Sequence, residues 1–268
     1  MKWSFILFLP ALVTLLWALA TLIIKRRPTR AQIILSLMLI LEAFAMMVIS
    51  VFFRGKAGSL FIYDFLFVST AMFCVPMYYV GICSLTEPRG ATLEQRRTFI
   101  IPILYVLGLT IGAFWLGPRR YEQMCHAIHD GVAGWVAGDM AWNFMYFWDH
   151  ILFPVAMLVS CLVLMLMAAH KSRVFSNRFN SFYAKDINVP QIGHRQLLVY
   201  TCIFLVLAVA TVLVIDFRPY YYKYWLIVIS ILMTMMQFVI GRYIFRLNYD
   251  ARYVAAYVKQ KTEKQNAL

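Results

Sequence analysis

The residues with the types and spacing to do chemistry are concentrated in positions 142–154, where Asn143, Asp149 and His150 interrupt an apolar run that continues to Ala169. Ionisable side chains cost about 2.5–3.5 kcal/mol each at the centre of a bilayer, so they persist there only where a partner, a cavity or a function compensates. On a helix at about 100° per residue, Asn143, Tyr146 and His150 share one narrow face, with Asp149, Trp142 and Phe153 on its flank. Such a face offers recognition, not bond-making. Asp149 and His150 supply polar contacts, Asn143 and Tyr146 orient a ligand, and Trp142 and Trp148 form apolar walls. The competing use of the same residues is a hydrogen-bonded pair that only fixes helix packing.

Two further acids lie in apolar blocks. Glu42 is eleven residues from either end of block 31–53, and Asp64 lies just inside the start of block 60–85. No Lys or Arg sits deep in any block, which leaves His150, Asn143, tyrosines such as Tyr78 and Tyr79, water or a ligand as partners. These acids point to an outward-facing cavity for a polar small molecule, cationic or neutral, with Asp64 and Glu42 added to the candidate ligand contacts. Cys125, His126 and His129 are spaced so that some could share an ion. No additional ligand follows at a diagnostic spacing, so neither a metal nor any other cofactor is expected. Without HExxH, GxGD or GxSxG, and without a nucleophile that has an evident base, the chain is not expected to be an enzyme.

The elements that must hold these residues are membrane spans. The chain is 63% hydrophobic and 14% charged, and its apolar residues come in long blocks. Seven blocks, 3–24, 31–53, 60–85, 98–116, 141–169, 196–215 and 222–245, approach or exceed the ~20 residues a helix needs to cross hydrocarbon. The expectation is an all-α integral membrane protein, a seven-transmembrane-helix bundle over residues 1–245. Residues 246–268 are expected to continue as a cytoplasmic connector helix. Block 3–24 is followed, not preceded, by Lys25, Arg26 and Arg27, which reads as a span and not a cleaved signal. Of the 25 Lys and Arg, eighteen fall in 25–30, 89–97, 171–195 and 242–264, and seven on the other side. That bias puts the N-terminus outside and the C-terminus in the cytoplasm, and it accounts for the net charge of +13 without nucleic acid.

Pro76, Pro102 and Pro154 fall inside blocks, and kinks at Pro76 and Pro154 are expected to open a cavity. Gly108 and Gly112 form a GxxxG that reads as internal packing. The connection 117–140, with its glycines, histidines and acids, reads as a mobile lid over the outer mouth. The seventh block has no central lysine for a retinal Schiff base, and no DRY or NPxxY pattern occurs, which argues against light-driven and hormone-type receptors.

The run Arg178-Phe179-Asn180-Ser181-Phe182-Tyr183, the Arg195-Gln196-Leu197-Leu198 start of the sixth block, and residues 241–254 leading into a charged helix resemble one known arrangement. It is the seven-span N-terminal membrane domain of membrane-anchored AraC-type transcriptional regulators. The resemblance implies a sensor in the bacterial inner membrane, with a cytoplasmic helix-turn-helix, DNA-binding module as a partner absent from this chain. A homodimer is admitted as a further partner. The expected function is therefore a receptor-like domain that binds a small molecule in an outer cavity lined by the second, third and fifth spans, and signals through its C-terminal helix. The alternatives are a small-molecule carrier, with Glu42 and Gln237 as inner polar steps, and a structural membrane scaffold.

Overall fold

Lipid offers the backbone no hydrogen-bond partner, so an apolar block bounded by basic or proline-containing turns satisfies its own N–H and C=O groups as helix. The computed structural model of the chain describes residues 6, 8–52, 60–86, 92–130, 132, 134–183, 194–217 and 222–247. All regular structure among them is helical: α1 (Leu9–Leu19, passing into π-helical Ala20–Ile24), α2 (Arg30–Phe52), α3 (Leu60–Thr86), α4 (Leu93–Arg97), α5 (Ile100–Leu116), α6 (Pro118–Asp130), α7 (Met140–Tyr146), a π-helical segment (Phe147–Leu152), α8 (Phe153–Tyr183), α9 (His194–Phe217) and α10 (Tyr222–Arg246).

Among the described residues, six helical stretches are long and apolar enough to cross a membrane: Arg30–Phe52, Leu60–Thr86, Leu93–Leu116, Met140–Val174, Gln196–Val214 and Lys223–Arg246. The expected first span corresponds to a shorter apolar helix, Leu9–Ile24. Most of the expected connector helix 246–268 lies outside the described residues, which end at Leu247.

The long helices close a ring. α2 packs along α3 and α1, α1 along α10, α10 along α9, α9 on α8, and α8 on α3. α5 lies beside this ring against α7, with Leu104, Leu107, Ile111 and Phe114 turned outward as suits a lipid-facing surface. Gly117 makes the turn between α5 and α6 with φ +81°, a left-handed conformation that glycine adopts without a Cβ clash, and Pro118 then opens α6. α6 packs on α3, α5 and α7 at the end of the ring where α3 begins.

At the opposite end, Thr92 and Gln95 form a reciprocal cap on α4. Glu94 there accepts from the Tyr79 hydroxyl (3.0 Å) and from Lys171 Nζ (2.8 Å), so one carboxylate ties α3, α4 and α8 together.

The GxxxG of α5 is internal packing, as its spacing suggests. A Cβ on Gly108 would run into the Trp148 indole, and one on Gly112 would come within 2.9 Å of Met145 Sδ. Gly108→Ala is accordingly expected to lower stability by about 1–3 kcal/mol, the range for overpacking a filled contact. Thermal unfolding beside an outward-facing control, Leu107→Ala, checks it. Equal melting temperatures for Gly108→Ala and the parent would refute the contact.

Candidate ligand-binding site

Asp149 and His150 do not lie on a regular α-helix. Pro154 has no N–H to give the His150 carbonyl four residues earlier and crowds it, and the chain widens into a π-helical turn over Phe147–Leu152 just before. Such π segments occur often at functional sites. The turn divides the face expected from 100° spacing. Asp149 points into the bundle and is 2% exposed, while His150 and Tyr146 stay half-buried with ring centroids 5.2 Å apart. His150 Nε2 lies 3.8 Å from Asp149 Oδ2.

Asp64 arrives from the first turns of α3 and accepts a hydrogen bond from the Tyr121 hydroxyl of α6 at 2.9 Å. Tyr121 is buried, and it and Cys125 lie within electrostatic reach of both Asp64 and Asp149. Burial first, and then the charge of these two carboxylates, pushes the Tyr121 hydroxyl and the Cys125 thiol well above their ordinary ranges. Both groups therefore stay protonated at neutral pH. One turn of α6 also carries Glu122, whose two carboxylate oxygens accept from the backbone N–H groups of Leu60 (2.8 Å) and Phe61 (3.1 Å). A helix N-terminus leaves such donors without intrahelical partners and favours a negative charge nearby. Glu122 thus fixes α6 to the start of α3, and that fixation places Tyr121 over Asp64.

Other candidate residues take up different positions. Asn143 holds the backbone N–H and C=O of Val136 through its side-chain amide (both 2.8 Å), and Trp142 Nε1 donates to the Gly134 carbonyl at 3.0 Å. Asp139 caps α7 through the Trp142 N–H and pairs with Arg120 of α6. These contacts hold segment 134–139 against α6 and α7. Trp148 Nε1 donates to the Tyr105 carbonyl (3.2 Å), and the Tyr105 hydroxyl donates back to the Trp148 carbonyl (2.5 Å), a reciprocal clamp between α5 and the π segment. Glu42 lies apart from this group, between α2 and α3, where Oε2 accepts from the Tyr78 hydroxyl at 2.7 Å. The structure thus brings Asp64, Asp149, His150 and Tyr146 to one end of the bundle. It places Trp142, Asn143 and Trp148 around them as bracing, and Glu42 in the middle of the ring.

Tyr121, Cys125 and Glu122 are the members that the reading of 117–140 as a lid passed over. The signal was present: Tyr121, Met124, Cys125 and Ile128 are all buried and recur at helical spacing. Among the described residues, no group of three or more His, Cys, Asp and Glu side chains is placed to hold a metal ion; the His129 side chain is outside them.

Comparison with family models, with curated proteins and with solved structures gives no match for this chain. What the fold and site define is a class: a helical, multi-pass membrane protein with an acidic, aromatic cluster at one end.

Proposed function

We propose that the chain is a seven-span membrane sensor domain whose outer end, with Asp64, Asp149, His150 and Tyr146 under α6, takes a small molecule bearing an amine or several hydrogen-bond donors. The observation that carries this reading is the convergence of two carboxylates from different helices, α3 and the π-helical turn before α8, on one buried tyrosine. Packing alone needs no such pair. A cationic ligand there would add a counter-charge to what the Tyr121 hydroxyl already gives Asp64 and what His150 offers Asp149. In this reading Leu9–Ile24 is the first span, the N-terminus is outside, and the excess of Lys and Arg faces the cytoplasm of a bacterial inner membrane.

Transmission would run through α10. Its last carbonyls are gripped from the α1–α2 side: Lys25 Nζ donates to Phe245 O (3.2 Å) and Leu247 O (2.5 Å), and Gln32 Nε2 to Ile244 O (2.9 Å). A shift of α2 against α3 would thereby reach the end of α10 that leads toward the cytoplasm. An AraC-type DNA-binding module there is the output we propose. The carrier alternative draws on the polar residues midway along the ring, Glu42 and Gln237.

The test is a thermal-shift screen of the detergent-purified chain against small amines, with Asp149→Asn in parallel. The expected result is a compound that raises the melting temperature of the parent and not of the folded variant. Equal stabilisation of both would remove Asp149 from the site. Collapse of Asp149→Asn without ligand would favour the scaffold reading.

A further inference from the structure

α4 and α5 present one outward face whose two ends differ in chemistry. Thr98 and Phe99, between the helices, keep right-handed helical dihedrals, so the face runs on past the break. At about 100° per residue, Leu93, Arg96, Arg97 and Ile100 fall within an arc of about 100°, and Leu104, Leu107 and Ile111 continue it along α5. All seven are exposed.

The rest of α4 is committed to the protein, which fixes the rotation of that face. Gln95 is 4% exposed and completes the reciprocal cap with Thr92, while Leu93 beyond it is 65% exposed. Phe99 stacks on Phe73 of α3 at 6.4 Å. Glu94 leaves to the side, toward the Tyr79 hydroxyl and Lys171 Nζ. Its charge is therefore met by Lys171 and not by its neighbours on α4. Among the described residues, neither Arg96 nor Arg97 pairs with a carboxylate.

The length of the face sets its depth. At its far end stand Phe114 and Trp115, both exposed, on the same side of the helix as the arginines. Arg97 and Trp115 are eighteen residues apart, about 27 Å of helix, close to the ~30 Å thickness of hydrocarbon. Indole rings favour one boundary of a bilayer, and guanidinium groups at the other end reach the headgroups.

The chemistry selects the partner. Whatever covers this end of the face must meet Ile100 and Leu104 with hydrocarbon and, within about 10 Å along the helix, meet Arg96 and Arg97 with negative charge. A phospholipid does both, with its acyl chains along α5 and its phosphate at α4. Two unpaired guanidiniums favour a headgroup with a net negative charge over a zwitterionic one, whose own cation competes with them. We infer that Leu93, Arg96, Arg97 and Ile100 form a docking surface for an anionic phospholipid, phosphatidylglycerol being the probe. This surface is at the opposite end of α5 from the cluster around Asp64 and Asp149, and it depends neither on the sensor reading nor on which side of the membrane α4 faces.

The experiment titrates the delipidated full chain in detergent with phosphatidylglycerol or phosphatidylcholine of identical acyl chains, and counts bound lipids by native mass spectrometry. The expected result is a lower Kd for the first phosphatidylglycerol than for the first phosphatidylcholine. Each arginine is worth roughly fivefold at an anionic surface, so Arg96→Gln with Arg97→Gln should raise the phosphatidylglycerol Kd tenfold or more and leave the phosphatidylcholine Kd within about twofold. Arg26→Gln with Arg27→Gln, also exposed but off this face, should leave both within about twofold. Equal binding of the two lipids by the parent would overturn the surface, as would a phosphatidylglycerol preference that survives the α4 double variant or falls as far in the Arg26, Arg27 control. If the α4 double variant melts below the parent without lipid, Arg96→Gln alone decides: an unaltered phosphatidylglycerol Kd overturns the proposal, and a raised one supports it.

Discussion

Replacing Glu122 with alanine is expected to destabilise the fold by about 3–6 kcal/mol, since two hydrogen bonds to a carboxylate are lost and each is worth roughly 1.5–3 kcal/mol. Both bonds go to the first N–H groups of α3, at Leu60 and Phe61, which no intrahelical carbonyl can satisfy. The loss is larger than that of a surface pair because Leu60 is fully buried and water replaces the carboxylate poorly there. Glu122→Gln keeps an acceptor oxygen and is expected to recover part of the difference. The effect should couple to Tyr121→Phe: once α6 is released from α3, the Tyr121 hydroxyl has less to contribute at Asp64, so the double variant loses less than the sum of the singles. Denaturant unfolding of the four chains measures this cycle. A change under 0.5 kcal/mol for Glu122→Ala, or strict additivity with Tyr121→Phe, would mean that α6 is not held by this carboxylate.

The long helices were legible because membrane physics writes them plainly. The blocks expected at 31–53, 60–85, 98–116, 196–215 and 222–245 fall within two residues of helices in the structure, since apolar composition and the flanking turns both mark them. The fifth block was legible as apolar but not as a shape. Its hydropathy says nothing of the π-helical turn at Phe147–Leu152, which depends on how Pro154 meets the preceding carbonyl. Nor does it mark the extension of α8 to Tyr183, where polar helix formers carry on after the apolar run stops.

The candidate site was half legible for a related reason. That an acid in an apolar block needs a partner is a sequence-level argument, and Tyr78 for Glu42 follows from it. Which tyrosine is chosen is decided by packing: the adjacent Tyr79 turns to Glu94 and Lys171 instead. Tyr121 was obscured because the glycines and histidines of 117–140 suggest a loop, while the buried stripe that makes α6 a helix has only four positions. Asn143 and Trp142 read as ligand contacts because amides and indoles in apolar surroundings attract that reading. Their polar atoms go to the backbone of residues 134–136, a partner that only the chain path reveals.

Cys125 is expected to react with thiol reagents at least a hundredfold more slowly in the native protein than in the denatured chain at pH 7.5. The thiolate is the nucleophile, and its abundance falls tenfold for each unit by which the thiol's pKa is raised. Burial is the larger cause and the carboxylates Asp64, Asp149 and Glu122 the smaller ones, so the two contributions separate by mutation. Tyr121→Ala, which uncovers α6, should restore most of the reactivity. Asp64→Asn with Asp149→Asn, which removes charge and leaves packing, should restore only a few-fold of it. Site-resolved mass spectrometry after timed alkylation distinguishes Cys125 from the half-buried Cys202, which serves as the internal reference. Fast labelling of native Cys125 would show α6 to be a loose cover over the acids. Protection that yields to the double Asp→Asn variant as fully as to Tyr121→Ala would make charge, not burial, the dominant force at this end of the bundle. A cationic ligand would then be expected to raise Cys125 reactivity by neutralising that charge, whereas in the burial-dominated case it should slow labelling further by holding α6 down.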